Sequence, residues 1–213
     1  MSGDVTDWAM GKLIEQRLEI IDRTPENFLV VRSEGEYTFN VAVLGVKNVV
    51  ELTDVEHLFS GATTPQLAVN IPSKTLWSGA AIDRIHAAYA AFGTLGDVSR
   101  AASTKNAGTY RDKDMGFFIN AMKQHTNVSG VSYIYDRVFK VDQRIGTGLI
   151  VSVIDTYNMS AEDVRNAKSQ FGHFDVIVKS SSYGAITDQA ETAAKSIGAQ
   201  ALTFRQLLGR LSK

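Results

Sequence analysis

The order of apolar segments constrains the fold of this chain more than any other feature of its sequence. Short, nearly continuous apolar runs, such as residues 149–154 with Ser152 as the exception, are typical of strands that are buried on both faces of a sheet. Between these runs lie segments with an apolar residue every three or four positions, of which residues 114–125 are the clearest. Strands that alternate with amphipathic helices predict an α/β protein in which helices flank a mixed sheet.

The predicted elements pass through nearly the same order twice. Each half contains a helix, two strands, a helix, a strand and a helix, followed by a final short strand or turn and a helix. At an offset of about 105 to 109 residues, positions of the first half fall on similar positions of the second: Met10 on Met115, Val41 on Leu149, Asp54 on Asp163, Leu67 on Val176 and Ser78 on Thr187. The repetition predicts two similar tandem halves produced by internal duplication. The alternative is chance similarity between two α/β segments.

A small and polar segment, residues 99–109, separates the two halves. We therefore expect a first α/β half at residues 1–100, a linker at 101–110 and a second α/β half at 111–213.

Local patterns predict three further details. Residues 33–36 are expected to form a hairpin turn, and residues 78–92 a helix that Ser78 caps. The alternating residues 131–142 are expected to form one long strand. If its edge is exposed, two copies of the chain would pair through it, so we expect self-association.

The composition excludes several classes of protein. The 213 residues contain no cysteine, which rules out disulfides, thiolate zinc sites and cysteine nucleophiles. No segment approaches the roughly 18 apolar residues that a membrane span needs, and the first residues lack the basic start and apolar run of a signal peptide. A formal net charge of −1 gives no overall attraction to DNA or anionic lipid. We expect a cytoplasmic protein that contacts no membrane.

The tail of the chain resembles the end of a restriction-endonuclease-like domain of the methyl-directed (Mrr-like) type. A strand that ends in small hydroxyl residues, at 180–182, precedes a helix that Thr187 opens and that is rich in alanine. A further strand and a short helix with Leu207 and Leu208 follow. The resemblance covers residues 175–211 closely, and the rest of the second half by the order of its elements.

This resemblance implies a particular metal-dependent chemistry. The family places an acid on one strand and an acid or glutamine two residues before a lysine on the next, where they hold Mg²⁺ beside the scissile phosphate. Residues 149–154, which should carry the second motif, contain neither an acid nor a lysine, and residues 41–46 are equally bare. The chain therefore resembles a member that has lost the signature. A displaced site would have to use carboxylates and a lysine elsewhere, for which the candidates are Asp136, Asp142, Asp155, Asp175 and Lys179.

A phosphate-binding loop is the second candidate site. Ser180, Ser181, Ser182 and Tyr183 follow a predicted strand, and Thr187 opens the next helix, so hydroxyl groups and backbone amides there would hold an anion. The alternative is that these residues cap turns and helices. If the two strands are parallel neighbours, the segment 155–158 lies beside this loop, at the end of the sheet where α/β proteins bind ligands.

Basic and aromatic residues are interleaved between residues 111 and 144. Arg137, Lys140 and Arg144 are the candidate phosphate contacts, although four aspartates dilute this region. The alternative is that these residues form a solvated strand face. The four histidines show no metal-ligand spacing, so no metal site is predicted.

These patterns lead to one expected function and two alternatives. We expect a DNA- or RNA-associated binding or scaffold protein with a degenerate nuclease-like fold and no cofactor. The first alternative is a nuclease with displaced carboxylates, which would need Mg²⁺. The second is a protein–protein assembly factor that binds no nucleic acid.

Overall fold

The structure is a computed structural model that describes residues 4–33 and 36–212. The chain divides into two compact units, Met1–Asp112 and Lys113–Lys213. Each unit contains a five-stranded sheet flanked by helices, which confirms the predicted α/β class. No helix among the described residues is long and apolar enough to span a membrane.

The first unit contains seven strands and four α-helices in the part of the chain that is described. In chain order they are α1 (Val5–Glu15), β1 (Glu19–Arg23), β2 (Leu29–Arg32), β3 (Thr38–Leu44), β4 (Val49–Val50), α2 (Leu52–Val55), a 3-10 helix (Glu56–Phe59), β5 (Leu67–Asn70), β6 (Leu76–Trp77), α3 (Gly79–Ala87), β7 (Ala91–Thr94), α4 (Asp97–Ser103) and a second 3-10 helix (Ala107–Thr109).

The main sheet of this unit has the strand order β1-β2-β3-β5-β7. The first three strands form an antiparallel meander, and β5 and β7 add to it in parallel. Residues of β2, β3 and β5 share their apolar core with α1 and α4, as Leu13 and Val98 illustrate. Strands β4 and β6 form a separate parallel pair.

The second unit contains five strands and four α-helices within its described residues. They are α5 (Lys113–Gln124), β8 (Val128–Tyr135), β9 (Val138–Gln143), β10 (Leu149–Ile154), α6 (Ala161–Phe171), β11 (Val176–Lys179), α7 (Asp188–Ser196), β12 (Gln200–Thr203) and α8 (Phe204–Leu211).

Its sheet has the order β12-β11-β10-β9-β8. Strands β8, β9 and β10 are antiparallel, whereas β11 and β12 add in parallel. The central position of β10 confirms the prediction from its nearly continuous apolar run. Helices α5 and α8 pack on one face of the sheet, through Phe118 and Leu207 among others.

Two predicted elements are wrong in extent. Residues 131–142 form the hairpin β8–β9, because the chain reverses at Asp136 and Arg137. The helix predicted over 78–92 is capped by Ser78 as expected, but it ends at Ala87. Beyond its end Tyr89 adopts a φ of 56°, and Phe92 belongs to β7.

The segment predicted as a linker is folded in the structure. Residues 97–103 form α4, and the following 3-10 helix precedes the boundary between the units. The small residues in this segment serve close packing. Ala101 and Ala107 are fully buried, and a Cβ atom on Gly108 would lie 2.3 Å from the carbonyl oxygen of Tyr89. The predicted hairpin turn at 33–36 includes residues 34 and 35, which lie outside the described residues.

Candidate functional site

The candidate site lies where β10 and β11 end. The two strands are parallel neighbours with Ile154 opposite Lys179, so the residues that follow them emerge side by side. The backbone N–H of Ser180 donates to the carbonyl of Ile154 at 2.9 Å. The structure thus brings together the two segments whose proximity the sequence analysis made conditional on strand order. We call residues 155–160 and 180–187 the strand-end loops.

The strand-end loops are bound to each other along their length. Met159 and Ile186 form a parallel β-bridge, and the N–H of Ala185 donates to Oδ1 of Asn158 at 2.9 Å. Gly184 has a φ of +75°, and a Cβ atom there would lie 1.9 Å from the carbonyl oxygen of Tyr157. Only glycine allows this approach, so the two loops form one surface.

Lys179 stabilises this surface from a buried position. The residue is 2% exposed, and its ammonium group donates to the carbonyl oxygen of Ser181 at 2.6 Å and to that of Tyr183. Lys179 is one of the candidate catalytic groups that the sequence predicts. Its burial against main-chain carbonyls gives it the role of holding the second loop in shape.

The hydroxyl groups that were predicted to bind an anion mostly have internal partners. Ser180 donates to Oδ2 of Asp114 at 3.0 Å, and Ser181 accepts from the N–H of Tyr183 at 3.2 Å. Thr187 caps α7 by accepting from the N–H of Ala190, and its hydroxyl donates to the carbonyl of Met159. A phosphate beside Ser180 would also face the carboxylate of Asp114. These contacts favour the alternative reading, in which the hydroxyls stabilise turns and caps.

Two aromatic rings project from the strand-end loops into solvent. Tyr157 is 68% exposed and Tyr183 is 75% exposed, and each sits on a different loop. Large apolar side chains on a folded surface are informative when they cluster. Parallel strand order alone predicts that residues 155–158 lie beside the second loop, but the sequence does not indicate that Tyr157 and Tyr183 are both exposed there.

A cleft of about 420 Å³ opens at the end of β10, beside Thr156. Its lining includes Arg137, Asp155, Thr156, Asn166 and Gln170. Arg137 is held there by the hairpin turn, where its carbonyl accepts from the N–H of Val153 at 2.9 Å. The cleft therefore puts one guanidinium group near the end of β10.

The other predicted basic residues follow β9 away from the cleft. Lys140 lies on β9 and forms an ion pair with Asp142 at 3.0 Å. Arg144 comes directly after β9, about 23 Å from Arg137 at the rise of an extended strand. The three cations form a line along one strand and do not form a compact cluster.

The structure does not assemble the candidate catalytic carboxylates. Asp155 follows the end of β10, whereas Asp175 precedes β11 at the opposite end of the sheet, where it accepts from the N–H of Ile150 at 2.7 Å and contacts His173. Asp136 lies in the hairpin turn between β8 and β9. Within residues 4–33 and 36–212, no group of three histidines and carboxylates could hold a metal ion.

The two units differ in charge. Residues 113–213 contain 12 Lys and Arg against 9 Asp and Glu, a formal net charge of +3, whereas residues 1–112 contain 10 against 14, a net charge of −4. The overall charge of −1 conceals this asymmetry. A positive unit attracts polyanions at long range, which a calculation over the whole chain does not reveal.

A second polar cluster, in the first unit, was missed from the sequence. Asp97 is 6% exposed; it accepts from Tyr110, from Arg100 at 2.7 Å and from the N–H and hydroxyl of Thr94. Burial by itself raises the pKa of the Asp97 carboxyl, but these hydrogen bonds outweigh burial and hold its pKa below the ordinary value. Burial, together with Asp97, raises the pKa of Tyr110 to about 12. Each acceptor position of the carboxylate is used within the protein, so we assign the cluster to stability.

We compared the chain with models of known protein families, with curated proteins and with solved structures, and none of them matches.

Proposed function

We propose that this protein binds single-stranded nucleic acid without cleaving it, at the strand-end loops of its second unit. The observation that carries the proposal is the exposure of Tyr157 and Tyr183 on two loops that are bonded together. Unpaired bases stack on aromatic side chains whatever their sequence, and each such contact contributes about 1–3 kcal/mol. Paired bases in a duplex keep their faces covered, so the same surface discriminates against double strands.

Cations along β9 support this ligand. Arg137 lines the cleft together with Asp155 and Asp163, and Lys140, which is paired with Asp142, and Arg144 continue along the strand. A phosphate backbone that leaves the tyrosines would pass these side chains, and about 23 Å corresponds to only a few extended nucleotides. The net charge of +3 on residues 113–213 adds a long-range attraction.

We further propose that the two units arose by duplication of one restriction-endonuclease-like domain. The pair Val50–Trp77 of the small β4–β6 sheet corresponds to the bridge Met159–Ile186, and both members are shifted by 109 positions. Ser78 caps α3 and Thr187 caps α7 at the same shift. The shared strand order, an antiparallel meander followed by two parallel strands, supports the same origin.

Buried polar residues at the strand ends support the duplication independently. Asn70 ends β5 and donates from Nδ2 to the carbonyl of Pro72 at 3.3 Å, as Lys179 ends β11 and donates to Ser181. In both units a side chain at the end of the strand donates a hydrogen bond to the loop that follows, from an amide group in Asn70 and from an ammonium group in Lys179. Because the positions that correspond to Tyr157 and Tyr183 are Asn48 and Lys74, the first unit lacks the stacking surface.

Among the described residues, no group of three histidine or carboxylate side chains could hold a metal ion, which supports binding without cleavage. Strand β10 offers no acid or lysine. Of the four candidate residues, Asp175 lies at the opposite end of the sheet from Asp136 and Asp155, and Lys179 is buried with its ammonium group on main-chain carbonyls. We propose a cytoplasmic site of action, which suits a chain without cysteine.

Binding can be tested by fluorescence anisotropy with labelled single-stranded DNA, single-stranded RNA and duplex DNA of about 12 nucleotides. We expect each of Tyr157→Ala and Tyr183→Ala to weaken single-strand binding by about 5- to 150-fold, which corresponds to 1–3 kcal/mol. Tyr89→Ala is the matched control, because Tyr89 is 90% exposed on the first unit. Equal losses for all three variants, or no binding by the unaltered protein, would overturn the proposal.

A cleavage assay separates the nuclease alternative. Supercoiled plasmid and single strands are incubated with Mg²⁺ or Mn²⁺ beside an EDTA control. We expect no cutting by folded protein. Cutting that depends on the metal and is abolished by Asp155→Asn would make the protein a nuclease with a rearranged site.

A further inference from the structure

Strand β8 lies at the edge of the second sheet, and its side chains are unusual for an edge strand. Among the described residues its only strand neighbour is β9. Its eight residues, Val128–Tyr135, include no charged residue and no proline. Edge strands of soluble proteins are normally protected by charges or proline, because unpaired N–H and C=O groups attract further strands.

The first unit provides an internal comparison. Strand β1 occupies the same edge of its sheet, and three of its five residues, Glu19, Asp22 and Arg23, are charged. Arg23 forms ion pairs with Asp4 and Asp7. One edge of this chain is therefore protected, and the corresponding edge of the other unit is not.

We propose that two copies of this chain associate by antiparallel pairing of their β8 strands about a two-fold axis. Such an interface is self-complementary, since each strand donates and accepts the same backbone bonds. A second copy is the occupant that the sequence of β8 favours, because a strand without charges meets no like-charge repulsion from its own image. The two five-stranded sheets would join into one sheet of ten strands.

The register of this pairing follows from the shape of β8. Register shifts at both ends leave Gly130–Tyr133 as the regular stretch opposite β9. Directly opposed residues of antiparallel strands point to the same face of the sheet. A residue of β8 can therefore face only a residue of the second copy that lies an even number of positions away. For this reason the two-fold axis must pass through the level of one residue and not between two. An axis at Ser132 puts Ser132 opposite its own image and Val131 opposite Tyr133. Serine pairs and aromatic–β-branched pairs are favourable across strands.

Because the sequence contains no cysteine, a single introduced cysteine tests the register directly. In Ser132→Cys the two thiols would lie opposite each other within the range of a disulfide, and we expect oxidation to give a covalent dimer. Ser129→Cys is the matched control on the same strand, because both serines are exposed. Two copies of residue 129 would lie about 20 Å apart in the proposed register, so oxidation is expected to form no covalent crosslink in this variant.

Sedimentation equilibrium supplies the second readout. We expect the unaltered protein to dimerise as its concentration rises, and Ser132→Lys to raise the dissociation constant about tenfold or more, because two lysines would then face each other. Circular dichroism verifies that the variant is folded; if it is not, crosslinking of Ser132→Cys decides. A monomer at every concentration, a dimer that Ser132→Lys does not weaken, or equal crosslinking of both cysteine variants would overturn the proposal.

Discussion

Lys179 donates a hydrogen bond from Nζ to the carbonyl oxygen of Ser181 at 2.6 Å from a position that is almost fully buried. The same ammonium group also donates to the carbonyl of Tyr183. One buried side chain thus fixes the backbone of the loop that exposes the Tyr183 ring. Burial of a charge is costly unless hydrogen bonds compensate it, and here main-chain carbonyls supply them.

Replacement of Lys179 by methionine should therefore destabilise the protein and weaken its binding. Methionine keeps much of the length but removes the donor to the carbonyl of Ser181, and an unpaired acceptor costs about 1–3 kcal/mol. The carbonyl of Tyr183 keeps the hydroxyl of Ser181 as a donor. We expect the free energy of unfolding in urea to fall by about that amount and single-strand affinity to fall with it. Lys195→Met, on the exposed face of α7, is the control and should change stability by less than about 0.5 kcal/mol. Equal stability of both variants would contradict the anchoring role.

Substitutions of Gly184 and Gly198 by alanine should separate backbone strain from a steric clash of the added Cβ atom. Both have positive φ, +75° and +78°, but a Cβ on Gly184 would meet the carbonyl of Tyr157 whereas nothing lies within 4 Å of one on Gly198. Gly198→Ala should cost only the backbone strain, about 1–2 kcal/mol. Gly184→Ala should cost more in urea unfolding and should also reduce single-strand binding. If the two variants lose equal stability and both bind normally, the loops are not in contact.

The local elements of this fold could be predicted because their signals are local. The capping box joins Ser160 and Asp163, which are three positions apart, and the apolar run of β10 is interrupted only by Ser152. Strand β1 was missed because its sequence, EIIDR, is mostly exposed and has no regular period. The hairpin β8–β9 was taken for one strand because its turn, at Asp136 and Arg137, contains no glycine, asparagine or proline.

The candidate site was less predictable, since its contacts join distant parts of the chain. The position of Asp155 beside Ser180 followed from the parallel order of two strands. The bond between Ser180 and Asp114, however, connects residues 66 positions apart, and no pattern in the sequence indicates it. Lys179 was predicted as a candidate catalytic group at a strand end, and only the three-dimensional course of the following loop buries it.

Replacement of Ser152 by alanine should stabilise the protein. Its hydroxyl is fully buried on β10 and has no hydrogen-bond partner among the described residues. Ser152→Ala removes this unpaired group, so we expect the free energy of unfolding to rise by about 1 kcal/mol. Ser160→Ala is the contrasting variant, because Ser160 caps α6 and its loss should cost about 0.5–2 kcal/mol. Urea denaturation followed by circular dichroism distinguishes the two signs, and a loss of stability in both would contradict the assignment of Ser152.

The cluster around Asp97 should make the first unit sensitive to pH at both extremes. The folded pKa of Asp97 lies below its unfolded value near 3.8. This carboxylate therefore contributes stability above about pH 4 that is lost as the pH falls through the folded pKa. Tyr110 has its pKa raised to about 12. Its contribution is fully present below about pH 10, the unfolded value, and is lost as the pH rises towards 12.

Tryptophan fluorescence reports this behaviour selectively, because Trp8 and Trp77 are the two tryptophans of the chain and both lie in the first unit. We expect Asp97→Asn to be less stable at neutral pH and to lose the acid dependence, and Tyr110→Phe to lose the alkaline dependence. Asp83→Asn, on the exposed side of α3, should retain both. If the Asp97 and Tyr110 variants show the same pH profile as the unaltered protein, protonation of these two groups does not set the pH dependence of its stability.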